Sequence, residues 1–325
     1  MAGRSLAPRP VCRRLHLDSR RVRPDPSRRS TALAFGVVLV RTSQPGVTDP
    51  SPQNDRDSAV SEQVAEADAV LTAWRRNQDQ PWNRLRYLLV EAHLQRLIGA
   101  GAAWRVLDVG AGDGRDALPL AQHGHTVLLL DRDAAMLAEA ERRAAALTVG
   151  DRIHTRQVDV SADDLPLDPG GYDLVLCHNL LQYLPDPLPL LQALGQALRP
   201  GGWISLLIPN PASETLRLAL QQHDLVAACA SLMATTHRNH FYGVEMHLRE
   251  LPAWCDLLGD AGFEAIDYVG VRCVNDYINA DTIKFSESGF PQLLALEIAL
   301  GRRSPYREIA RLWQITARRA MRGAQ

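Results

Sequence analysis

Asp108-Val109-Gly110-Ala111-Gly112-Asp113-Gly114 sets three glycines on alternate positions, directly after an apolar strand pattern and before a helical one. Glycine there lets the backbone approach a ligand closely, with a helix N-terminus beside it. The dinucleotide fingerprint needs its third glycine one position later, where this chain has Arg115, so the pattern is G-x-G-x-G. Asp131 ends the next strand pattern and is placed to accept bonds from the two hydroxyls of a ribose. Val158-Asp159-Val160 ends a third. The plainer readings are that Asp108 and Asp131 cap the following helices, that Asp159 is a turn residue and that Met136 is a core methionine.

His178 follows the fourth strand pattern, at the carboxyl edge where open α/β sheets hold ligands. An imidazole there is a candidate general base, or a group packing on the ligand. His237, His240 and His247 raise the question of a metal, but their spacing shows no acidic second shell, and none is expected. The five cysteines are scattered without CxxC or metal-ligand spacing, so neither a zinc site nor a disulfide framework is indicated, and a reducing cytoplasm is expected.

The elements that must position these groups alternate. Two helices are expected over 62–77 and 82–99, the second amphipathic through Leu85, Leu88, Leu89, Leu94 and Ile98. Strands follow at 105–109, 125–130, 153–158, 172–177 and 203–208, with helices at 115–123, 134–147 and 187–198. That order predicts parallel strands joined by right-handed crossovers. Residues 211–247 break the alternation and read as an inserted helical cap. A helix at 249–261 and strands at 263–270 and 311–317 close the domain.

The 46% hydrophobic content supports a sizeable core, and the longest apolar run, 31–40, is short of the roughly 20 residues a membrane span needs. Residues 1–30 hold nine arginines and four prolines without periodicity and are expected to be disordered, and 42–60 reads as a linker. The expected organisation is therefore a tail over 1–60 and a catalytic domain over 61–320. Lys284 is the only lysine beside 35 arginines, which implies G+C-rich coding and a bacterial source. Residues 51–325 carry 26 basic and 34 acidic side chains, a net charge of −8 that argues against broad electrostatic binding of nucleic acid.

The glycine loop, Asp131, Asp159, Tyr172-Asp173-Leu174-Val175 and Leu198-Arg199-Pro200-Gly201-Gly202 together resemble the S-adenosylmethionine (SAM)-dependent methyltransferase superfamily over residues 82–210. The resemblance implies an α/β fold: a doubly wound, mostly parallel seven-stranded sheet of Rossmann-like type with a helical cap insertion. It also implies S-adenosyl-L-methionine as cofactor. The implied contacts are Asp108, Gly110, Ala111, Gly112 and Gly114 from the loop, Asp131, Arg132 and Met136 after the second strand, Asp159 and Val160 after the third, and His178.

Leu85-Arg86, the block Cys177-His178-Asn179-Leu180-Leu181-Gln182-Tyr183, Gly270-Val271-Arg272 and Asn275-Asp276-Tyr277 recur in the order found in the tRNA 5-carboxymethoxyuridine methyltransferase family, which the chain resembles over about 65–318. That resemblance implies a tRNA carboxylate as methyl acceptor, with Arg86 near cofactor and substrate and with Arg272 and Tyr277 near the acceptor. A carboxylate is ionised at neutral pH, so its esterification needs no general base, only alignment, which an arginine fork can supply. Two departures keep a small-molecule O- or N-methyltransferase in view, and a SAM-binding module without turnover stands as a third reading. The family's lysine-rich cap run is here Met233-Ala234-Thr235-Thr236-His237-Arg238-Asn239-His240-Phe241-Tyr242, and Asn275 stands where the family favours histidine.

Overall fold

The computed structural model describes residues 76–160, 165, 167–239 and 243–321. The expected tail and linker, and nearly all of the helix expected over 62–77, lie outside the described residues. From Gln80 on, α1 (Pro81–Ile98) leads into β1 (Arg105–Val109), α2 (Leu118–Gln122), β2 (Thr126–Asp131), α3 (Ala134–Ala146), β3 (Ile153–Gln157), β4 (Tyr172–His178), α4 (Leu188–Ala197) and β5 (Leu198–Pro209). The cap region supplies α5 (Pro211–Leu220), α6 (Leu225–Ser231), β6 (Thr236–Arg238) and β7 (Glu245–His247). Then come α7 (Leu251–Asp260), β8 (Phe263–Val271), α8 (Asp281–Phe285), α9 (Gly289–Leu300) and β9 (Leu312–Arg319).

Seven strands form one sheet in the order β3-β2-β1-β4-β5-β9-β8. The first five run parallel, and β9 lies antiparallel between β5 and β8. Alternation along β4 shows how the sheet is covered: Leu174 and Leu176 enter the core under α1 and α3, and Val175 and Cys177 the core under α4 and α7. Strands buried on both faces read as continuous apolar runs. No helix of the described residues is long and apolar enough to cross a membrane.

Three expectations change. The cap is not wholly helical, because β6 and β7 pair as a two-stranded antiparallel ribbon. Strand β5 begins at Leu198 rather than 203, since Leu198 pairs with Tyr172 before a bulge and the Arg199–Gly202 stretch carries the strand onward. The helix expected over 115–123 shortens to Leu118–Gln122, its first residues being used in the turns of the glycine loop.

Candidate active site

The glycine loop is pinned at both ends. The Gly110 and Ala111 amides both donate to the Leu130 carbonyl, at 2.9 and 3.0 Å, which draws the loop over the end of β2. Gly112 N–H donates to Asp131 Oδ2 at 2.8 Å, and Asp133 N–H to Asp131 Oδ1 at 2.9 Å. Asp131 therefore straps loop to strand, with lone pairs on both oxygens left for further donors. Asp133 takes over the capping of α3, accepting from Ala135 and Met136, so Asp131 is not the helix cap of the plainer reading. Gly112 has φ +54° and a Cβ there would point into open space, whereas one on Gly114 would stand 3.2 Å from Ala140 of α3. Openness beside Gly112 is what a ligand needs, and closeness at Gly114 lets the loop sit on the next helix.

Asp108 is 2% exposed. Burial, with Asp116 and Asp131 nearby, holds its carboxyl well above the usual carboxylate range. A carboxyl in that state is relieved by a cation, and S-adenosylmethionine carries positive charge on its sulfonium and amino groups. Val158 N–H donates to the Asp131 carbonyl and Gln157 Nε2 to that of Arg132, which brings the end of β3 beside the end of β2. Arg132 lies within electrostatic reach of Asp159, Asp131 and Asp133. Val160 packs at the edge of one core, and Met136 is half-buried and belongs to neither core cluster. The residues present fit the cofactor: an open glycine turn, a buried carboxyl seeking a cation, and an aspartate with free lone pairs beyond it.

Asp116, not among the residues read from the sequence, links two that were. Arg86 Nη1 donates to both its oxygens, at 3.2 and 2.8 Å. His178 Nδ1 stands 3.2 Å from Asp116 Oδ2, an ion-pair distance with the ring N–H pointing off the oxygen. All three side chains are nearly buried, at 8, 11 and 3% exposure for Arg86, Asp116 and His178. Burial by itself would raise the Asp116 pKa, but Arg86 and then His178 outweigh it and hold the carboxylate far below its usual range. Burial by itself would lower that of Arg86, but Asp116 more than offsets it. His178 Nε2 lies 3.0 Å from Ser205 Oγ. The two ring nitrogens of His178 thus face Asp116 and Ser205. Arg86 commits its Nη1 to this protein carboxylate.

Arg272 and Tyr277 belong to a second group, at the end of β8. The Arg272 fork closes on Asp276, Nε to Oδ2 at 2.8 Å and Nη2 to Oδ1. Arg272 has φ +64°, costly for an arginine unless its surroundings impose it. They do: Glu297 of α9, fully buried, accepts the amides of Cys273, Val274 and Asn275 at 2.5, 3.0 and 2.7 Å. Tyr277 O–H donates to the Ile309 carbonyl at 2.6 Å, and burial lifts its pKa to about 12. Gln221, just past α5, donates to the Asp276 carbonyl, so the cap rests on this turn. As carboxylate ligands, then, Arg272 and Tyr277 already hold protein partners. His237 and His247 sit on the cap ribbon one register step apart, His240 lies outside the described residues, and no group fit to hold a metal occurs among the described ones.

The family described as Methyltransferase domain matches residues 106–202. The tRNA 5-carboxymethoxyuridine methyltransferase of Escherichia coli K12 is 31% identical over 247 residues, covering 73% of this chain and 86% of the relative. The chain belongs to the SAM-dependent methyltransferases. The ubiquinone biosynthesis O-methyltransferase of Leptothrix cholodnii is 32% identical over 176 residues, 53% of this methyltransferase and 69% of the relative. A SAM-dependent methyltransferase of Thermotoga maritima, a possible histamine N-methyltransferase, shares the fold at TM-score 0.50 and 17% identity, covering 77% of this chain and 96% of its own.

Proposed function

We propose that this methyltransferase esterifies the carboxylate of a wobble 5-carboxymethoxyuridine in tRNA. The observation that carries the reading is the enclosure of His178, whose nitrogens face Asp116 and Ser205. An imidazole enclosed in this way suits an acceptor that is ionised beforehand and needs no base. The E. coli relative, similar over most of its length, supports the same acceptor. A tRNA acceptor also implies work in the cytoplasm.

Bound SAM supplies an electrophilic methyl group. Gly110, Ala111, Gly112 and Gly114 would give it room, Asp131 with Arg132 and Met136 would hold its ribose side, and Asp159 and Val160 its base. Asp108 would face its positive charge. Arg86 and His178, locked by Asp116, would wall the methyl-bearing end, and Arg272 and Tyr277 would border the acceptor. Mass spectrometry of tRNA nucleosides, with and without the gene, tests the proposal. The methyl ester should disappear and the free acid accumulate; unchanged nucleosides would refute it.

A second reading, a small-molecule O- or N-methyltransferase, is favoured by the cap. Leu220, Leu225, Val226, Leu232 and Met233 are 51–86% exposed there, a surface better suited to an apolar acceptor than to a phosphate backbone. Methyl transfer to a phenol or amine panel but not to tRNA would select it.

A further inference from the structure

Behind His178 a buried polar chain crosses the sheet from β4 through β5 to β9 and returns to α1. Gln314 Nε2 donates to Ser205 Oγ at 3.0 Å, which turns Gln314 Oε1 toward His93 Nδ1, 2.9 Å away. The proton of that last contact is therefore on His93 Nδ1. His93 Nε2, buried without a partner, is the bare nitrogen, and burial lowers the pKa of this histidine to about 4, keeping the ring neutral. Ser205 is fully buried and has accepted from Gln314. Its own proton has one acceptor among the described residues, His178 Nε2. The proton of a neutral His178 is then on Nδ1, 3.2 Å from Asp116 Oδ2 and outside hydrogen-bond geometry there. Every link runs in one direction, and each buried donor but one meets an acceptor in line.

We propose that Asp116 is a positioning residue of the methyl-transfer site, holding Arg86 and an Nδ1-protonated His178 as one unit beside the glycine loop, with Ser205 and Gln314 fixing the tautomer from the opposite side. A ring whose nitrogens face Asp116 and Ser205 turns its carbon edge to the cofactor face. The inference rests on the reading that SAM lies against this face.

The test is the ring-nitrogen NMR spectrum of the histidine-labelled full chain without cofactor at neutral pH. His178 should carry its proton on Nδ1, the reverse of the preference of free imidazole. Ser205→Ala should retain that tautomer because Asp116 remains, and the Asp116→Asn/Ser205→Ala double variant should populate the Nε2-protonated form. Asp116→Asn should lower kcat toward tRNA from the gene-deleted strain at least about tenfold while the SAM Kd stays within about threefold, as for loss of a group that orients another. An Nε2-protonated His178 in the wild type, an unchanged tautomer in the double variant, or parallel loss of kcat and SAM affinity would each overturn the proposal. Should Asp116→Asn not fold, Gln314→Glu, which turns two acceptors toward Ser205 and His93, should shift His178 away from its wild-type tautomer, and an unmoved ring overturns the idea. Failure of the wild-type chain to bind SAM would instead defeat the functional reading, because the spectrum is taken on unliganded protein.

Discussion

Gly112 is where a single atom matters most. Its amide holds Asp131 and its left-handed φ leaves the space beside it open. A β-branched side chain strains that backbone and fills that space at once. Gly112→Val should abolish SAM binding by calorimetry in a chain whose circular dichroism is unchanged; a folded variant that keeps its affinity would sink the cofactor assignment. Arg272 and Asp276 make the complementary case. Both are nearly buried, at 11 and 15% side-chain exposure, and burial would raise the Asp276 pKa did Arg272 not outweigh it. Arg272→Ala should therefore cost about 3 kcal/mol in urea denaturation by leaving a carboxylate unpaired. Arg272→Ala/Asp276→Ala should recover part of that loss while acceptor turnover stays impaired, and full recovery of turnover would remove Arg272 from the site.

At the scale of elements, Glu297 determines the shape of the turn after β8. Glu297→Gln replaces one acceptor oxygen with a donor facing backbone N–H groups. The expected loss is about 1–3 kcal/mol, seen as a lower urea midpoint at constant m-value; an unchanged midpoint would mean that the turn holds itself. This element shows where sequence reading stops. The glycine loop and strands β1 to β5 were legible because turn chemistry and apolar runs are local signals. Helix α9 was not: Gly289 and Pro291 stand at its start, and its leucines and isoleucine are spread around the axis without a stripe. The cap ribbon has three-residue strands, too short for alternation to register. Asp116 reads as an ordinary acid at a helix start, and only the fold brings Arg86, 30 positions away, onto it. The forks of Arg86 and Arg272 were legible as arginines, but their carboxylate partners required three dimensions.

For the whole molecule, acid stability should fall in two separate stages. His93 has a folded pKa of about 4 against 6.5 unfolded, so the unfolded chain takes up a proton through that window which the folded chain refuses. Stability present above pH 6.5 is lost as pH falls toward 4, and His125, lowered by burial, acts in the same direction. Glu214 follows at lower pH: burial opposes its ionisation, but Arg217 and Arg311 bring it to about 2, and its contribution is lost from pH 4.5 downward. His93→Gln should flatten the upper stage by up to about 3 kcal/mol between pH 6.5 and 4. Urea titrations at pH 7, 5.5 and 4.5 would check this, an unaltered slope being the adverse result.

The antiparallel strand β9 has a consequence in time rather than in space. It lies between β5 and β8, and its Gln314 meets Ser205 across a separation of 109 residues. A growing chain can lay down its five parallel strands as they emerge, but the seam on their far side stays open until this late segment arrives. The polar chain behind His178 passes through that seam. A nascent enzyme therefore carries its glycine turn early and gains Gln314, the far link of the polar chain, last.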